Sequence, residues 1–473
     1  MTGRKNGGKN PRDRSPGHHG DRLRTARSGS GKPRGRVPAN RRVNGSRRPL
    51  PGARARRRIV IAGGGVAALE ALLALRSLLG SIPAILLLAP QPELEYAPVA
   101  VAAPFSDNRP RRFPLAEIAR SHGADWVQDS LVEVDGERRQ VRTMFGQRLD
   151  YDALVIATGA RRRPWLANSI AVRGAGDVDA IRTLLAGLEQ SRIDELVFAA
   201  PPGESETLPL YELALLTAGS IADRGLQGVR LTIVTPEMSP LALFGPPAGA
   251  IVRQLLADRG IRLVTGAYPT DLSAGALRLR PSASIPADLA VTLGRCEGMG
   301  IPGLPRDAEG FIPIDQHARV KEADGVYAAG DGTTFPIKQG GIAAQQADAA
   351  AEVIAAAFGA AAKPRPFKPI VRDMLLTGLE PIYLRADISG GAGGSFEVDT
   401  EPLWWPPAKI AGRHMGPYLA QQEPWLSPMT LADRTRPTLA EEGTLADHRG
   451  ARELALALAR TDAGCQECLA LTR

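Results

Sequence analysis

The chain is poor in cysteine, with three in 473 residues: Cys296, Cys465 and Cys468. That excludes a disulfide-built scaffold. No apolar run approaches the roughly 20 residues that a helix needs to cross a bilayer, so a cytoplasmic protein is expected. Acidic residues are scarce at the start. Residues 1–58 hold two (Asp13 and Asp21) against 19 Lys or Arg, a net +17, which leaves −8 on the other 415 residues of a chain whose total is +9. This segment is rich in Gly, Pro, Ser and Arg and nearly free of apolar side chains, so it cannot bury enough surface to fold. Residues 1–57 are predicted to be a disordered basic tail. Charge alone would let it touch nucleic acid or anionic lipid, with no specific nucleic-acid recognition. Arg41-Arg42 and Arg47-Arg48 resemble part of an export signal, but the apolar stretch after them is better explained as a strand and a helix.

That stretch is the first informative feature. Residues 59–62 (Ile-Val-Ile-Ala) predict a buried strand, followed by Gly63-Gly64-Gly65-Val66-Ala67-Ala68, a helical run to Leu79 and a second strand at 84–88. A β-α-β unit with this turn is a dinucleotide-binding pattern. Gly63 permits the tight turn, Gly65 lets the backbone approach a pyrophosphate, and Ala68 is small where helix meets strand. The helix N-terminus offers N–H groups and a partial positive charge. The ribose-binding acid expected after the second strand is missing, since Ala89-Pro90-Gln91 stand there, and Glu93 is the nearest candidate. Two further buried strands end in Ala157-Thr158-Gly159 and Gly330-Asp331. An Asp just beyond such a strand can accept hydrogen bonds from ribityl hydroxyls.

In order and spacing these three motifs resemble those of the two-dinucleotide-binding-domain flavoproteins, over about residues 58–430. The resemblance implies an α/β fold of two Rossmann-like domains with a C-terminal α+β segment, and FAD as cofactor. Gly63, Gly65, Ala68, Glu93, Ala157, Thr158, Gly159, Gly330, Asp331 and Gly341 are its expected binding residues. The FAD-binding domain is placed at 58–165 and 285–362, the second Rossmann-like domain at 166–284, the C-terminal segment at 363–430 and a tail at 431–473.

Glycine is lacking where the second domain would need it. The strand at 195–201 leads into Pro201-Pro202-Gly203-Glu204-Ser205-Glu206-Thr207-Leu208-Pro209 and a helix to about Arg224. Two prolines remove N–H donors and two glutamates repel a pyrophosphate, so NAD(P)H binding is disfavoured. This Pro-rich turn, with Leu-Pro-Leu-Tyr-Glu at 208–212, resembles the sulfide:quinone reductase and flavocytochrome c sulfide dehydrogenase group. Type II NADH dehydrogenases share the architecture but keep glycines there.

The cysteines fit that group poorly. A thiolate is the competent sulfur acceptor, yet the Pro-rich turn has none. Cys296 is a candidate catalytic thiol or an inert buried one, and Cys465-x-x-Cys468 is a redox pair or incidental. A lone pair of cysteines cannot complete a zinc site, and no metal is expected. Lys338, in the loop before an Ala-rich helix at 342–357, is the second catalytic candidate. Helix dipole and ammonium would stabilise negative charge on a reduced flavin. Gln345-Gln346 on that helix compare with a quinone-bordering turn of the type II enzymes.

Trp404, Trp405, Tyr418 and Trp425, with Lys409 and Arg413, suit a peripheral contact with the cytoplasmic face of a membrane, a cap on the flavin cavity or a homodimer contact. The expected function is transfer of electrons from a small-molecule donor through FAD to an acceptor, a quinone by resemblance. The alternatives are a type II NADH:quinone oxidoreductase and a flavin-binding protein without turnover.

Overall fold

In the strand Arg58–Ala62, Ile59 and Ile61 face one core while Val60 and Ala62 face another. A strand covered on both sides belongs to a parallel α/β sheet. The computed structural model describes residues 57–422 apart from 97–100, 106–111, 173, 204–205 and 389–393. The basic tail, Trp425, the helical run at 451–460, Cys465 and Cys468 lie outside the described residues.

The first sheet is all parallel, in the order Val326–Ala328, Ala153–Ile156, Arg58–Ala62, Ala84–Ala89, Asp125–Gln128. One face carries the helices Val66–Leu79 and Gly340–Ala357, which pack on each other through small and branched side chains such as Ala71, Leu72, Ala347 and Ala350. Alanine lets the two axes approach closely. The other face carries an antiparallel meander, Leu131–Asp135, Gln140–Thr143 and Arg148–Asp150.

The second sheet repeats this plan. Ile170–Val172, Leu289–Leu293, Glu195–Ala199, Arg230–Val234 and Arg262–Val264 run parallel in that order. The helices Leu208–Asp223 and Gly245–Asp258 cover one face. A meander of Tyr268–Ser273, Ala276–Arg280 and Ala283–Pro286 covers the other. The chain therefore has the expected pair of Rossmann-like units. One assignment changes. Leu289–Leu293, placed with the first domain by sequence, pairs on both edges inside the second sheet. The chain passes between the halves at Arg161–Arg163 and Arg295–Glu297, which pair antiparallel with Arg162 opposite Cys296.

The C-terminal sheet, Ile370–Leu375, Ile382–Asp387 and Phe396–Asp399, is antiparallel and shares the second core through Val371, Leu375, Leu384 and Val398. A last helix, Met415–Gln422, is tied to the first by Glu70, whose carboxylate accepts from the backbone N–H of His414 at 2.6 Å and Met415 at 2.7 Å. Glu70 is fully buried, which is tolerated because helix-start donors satisfy it.

Candidate functional site

The ends of both sheets, the N-terminus of the Gly340–Ala357 helix and the C-terminal segment enclose a cavity of about 530 Å³, within the usual range for small-molecule sites. Its first wall is the motif set. Gly63, Gly65, Ala157, Thr158, Gly159, Gly330 and Asp331 all line it. Gly63 has φ +141°, and a Cβ there would fall 2.0 Å from the Ala157 carbonyl oxygen. Two sequence motifs thus meet at one backbone crossing, which accounts for the absence of a side chain. Gly65, by contrast, opens onto free space at the start of the helix Val66–Leu79, and no side chain caps that helix. Uncapped N–H groups above an open floor form an anion cradle.

Asp331 projects into the same cavity 3.9 Å from the Arg162 guanidinium. Burial raises its carboxyl above the usual range, and Arg162 and Lys338 oppose that rise. Lys338 is buried on the cavity wall. Its Nζ donates to the Thr333 carbonyl at 2.5 Å and stands 3.8 Å from the centre of the Phe311 ring. A surface lysine it is not.

Four expected residues fall elsewhere. Ala68 is in the core, where it lets helix meet sheet, and does not reach the cavity. Gly341 is buried one residue beyond the wall, which Gly340 forms with Ile410 packed against it. Glu93 lies off the cavity, 4.0 Å from Arg112, and Glu95 lines the cavity with Pro90 and Gln91. Cys296 is buried in the crossover ribbon and is not a wall residue.

The glutamine pair is structural. Gln345 exchanges hydrogen bonds with the backbone of Ile370, and the Gln346 carbonyl accepts from the Gly330 N–H at 2.7 Å. Trp404 is likewise no membrane anchor. It is 1% exposed, donates Nε1–H to the Ala408 carbonyl at 2.9 Å and packs edge-on against Tyr383. Lys409 is buried as well. Among the described residues no helix is long and apolar enough to cross a membrane.

The lining also holds Glu206, Asp373, Lys409 and Gln339, with Arg162 among them; in the sequence Glu206 has only a repulsive role and Lys409 only a surface one. Lys409 Nζ pairs with the fully buried Glu212, which also accepts from the Leu376 N–H at 2.8 Å. Burial nevertheless raises Glu212 to about 7, against the pull of Lys409. Gln339 caps its own helix by accepting from the Ile342 N–H at 3.1 Å and reaches Asp373 at 3.3 Å. Burial raises Asp373, with Lys409 opposing.

The second-half turn is closed from within. Glu206 Oε1 accepts from the Leu208 N–H at 3.3 Å, so a carboxyl group sits at the helix start where a phosphate would dock. After the neighbouring strand, Glu237 Oε2 accepts from Thr207, Tyr211 and Thr235, and its Oε1 from the Ala242 N–H. An acid so engaged has little capacity left for a ribose.

No family model matches the chain. Monodehydroascorbate reductase 4, peroxisomal, of Arabidopsis thaliana is 25% identical over 233 residues, covering 46% of this chain and 46% of its own length. Sulfide-quinone reductase of Aquifex aeolicus is 28% identical over 224 residues, covering 43% of this chain and 49% of its own. The chain thus spans about half the length of the curated relatives it matches. The X-ray structure of the sulfide:quinone oxidoreductase from Aquifex aeolicus shares the fold, with a TM-score of 0.69 at 19% identity over 82% of this chain and 94% of that one.

Proposed function

We propose that this chain, an FAD-dependent oxidoreductase of the superfamily with two dinucleotide-binding domains, carries electrons from a small-molecule donor to a quinone. The observation behind this reading is a single cavity lined both by the flavin motifs and by buried charged side chains. Bound FAD would supply two-electron chemistry there. Gly65 and the helix N-terminus behind it suit the pyrophosphate, and Asp331 suits the ribityl hydroxyls. Lys338 and the start of the Gly340–Ala357 helix place positive potential where negative charge would gather on reduction. The Glu206 side chain filling the second helix start and the engaged Glu237 argue against NAD(P)H as donor. Sulfur storage on a protein thiol has no support either, because no cysteine among the described residues lines the cavity. The donor in this reading delivers electrons to the flavin directly.

Anaerobic protein should be yellow. Its flavin absorbance should resist NADH, bleach with a competent donor and return when a soluble quinone is added. Rapid bleaching by NADH would transfer the assignment to the type II NADH:quinone class. Protein that stays colourless after incubation with FAD would end the flavin reading itself.

A further inference from the structure

Glu206 is buried, lines the cavity, and offers only Oε1 to a donor, the Leu208 N–H. Its Oε2 has no hydrogen-bond partner among the described residues. A buried carboxyl oxygen left unmatched is costly unless it carries a proton or meets a ligand. Glu212 also has an unmatched Oε2, since Lys409 and the Leu376 N–H both meet its Oε1, but it does not line the cavity, so of the two only Glu206 can meet a ligand there.

We propose that Glu206 is the proton-exchanging group of the cavity, handing the second proton to the oxygen of a quinone-type acceptor. This rests on the quinone reading above. The balance is simple. With FAD bound, the cofactor would supply the quinone with two electrons and one proton as a hydride equivalent. The other quinone oxygen takes one proton from the Glu206 O–H, giving a quinol and a Glu206 carboxylate, which water then reprotonates. The groups facing Glu206 decide whether it holds that proton. Asp373 on the Ile370–Leu375 strand disfavours ionisation, and Lys409 and Arg162 favour it. Lys338 lines the same cavity and adds to the positive side. Burial outweighs the cations, and the carboxyl lies well above its ordinary range. The unmatched oxygen and the position on the wall therefore agree with a protonated resting state.

The test uses the FAD-loaded full chain, reduced photochemically so that no donor need be known. Reoxidation is followed with a soluble benzoquinone and, separately, with ferricyanide, an outer-sphere oxidant that takes no proton. Glu206→Gln should slow quinone reoxidation on the order of 10²-fold, the typical contribution of a positioned acid, while ferricyanide reoxidation stays unchanged. Glu206→Asp should recover part of the loss. Infrared difference spectra across a pH titration should show protonated-carboxyl bands that shift in D2O, one component of which is missing from Glu206→Gln while those of the other buried acids such as Glu70 and Glu212 remain. Equal quinone rates in Glu206→Gln and the parent, or a carboxyl region identical in the two proteins, would overturn the proposal. Parallel slowing with ferricyanide would reduce Glu206 to a structural part. A parent protein that ferricyanide reoxidises and quinone does not would overturn the acceptor reading instead.

Discussion

Gly63 and Ala157 cross backbone to backbone, with room for a hydrogen and none for a methyl: a Cβ on Gly63 would sit 2.0 Å from the Ala157 carbonyl oxygen. Gly63→Ala must push the two strand ends apart, and it also places a side chain at φ +141°. The strain is on the order of 1–3 kcal/mol before any clash. Purified Gly63→Ala should carry far less than stoichiometric FAD by absorbance, and its thermal midpoint should drop.

Lys409 neutralises a carboxylate that has no contact with water. Lys409→Met leaves Glu212 alone in the interior, a situation that costs about 3–5 kcal/mol when the acid is ionised. Burial already holds Glu212 at about 7 with its partner present. Removing the cation moves it higher, so the penalty should be larger at about pH 8 than at about pH 5.5, where the acid is neutral. Urea midpoints at the two pH values check this, and Lys409→Met with Glu212→Gln should regain most of the loss.

Glu70 predicts the slope of stability against pH. Burial raises it from 4.5 to about 7, with the backbone N–H groups of His414 and Met415 opposing. Its neighbour Asp348 is raised too, chiefly by burial and by Glu70 itself. The folded form therefore binds more protons than the unfolded form between pH 4.5 and about 7. The contribution of Glu70 is full below that window and is lost as pH rises through it. The thermal midpoint should fall across this interval, and Glu70→Gln should flatten the decline.

Cys296 sits opposite Arg162 in the ribbon and away from the cavity wall. Cys296→Ala should leave the rates of flavin bleaching and reoxidation at their parent values. A small fall in the melting temperature, from the lost thiol volume, is the expected effect. Abolished bleaching would return the thiol to the reaction.

The first wall was legible in the sequence because each motif is local. A strand, a glycine turn and a helix start are consecutive residues, and Gly63, Ala157 and Gly330 each follow a buried strand. The charged part of the lining was not. Glu206, Asp373 and Lys409 come from three distant segments and meet only once the C-terminal sheet docks on the second core. Glu206 did leave a trace, an acid where a phosphate turn needs glycine, but that trace speaks first of repulsion and only in three dimensions of an unmatched oxygen. Glu93 and Glu95 differ by two places along one short strand, finer than a boundary can be read from composition. Trp404 shows the same limit, since an aromatic run has one composition whether it coats a surface or fills a core.

The ribbon of Arg161–Arg163 and Arg295–Glu297 has a topological consequence. The second Rossmann-like unit leaves the first and returns to it at hydrogen-bonded neighbours, so its two ends are adjacent. A segment with adjoining ends is a cassette: it can be lifted out and the gap closed by a short turn, or exchanged for another, without rethreading its host. Yet Arg162, inside the splice, lies 3.9 Å from Asp331. Exchange at this seam would replace Glu206 on the cavity lining and leave Asp373, Lys409 and the glycine motifs in place, so one part of the site could change in one step while the rest stayed as it was.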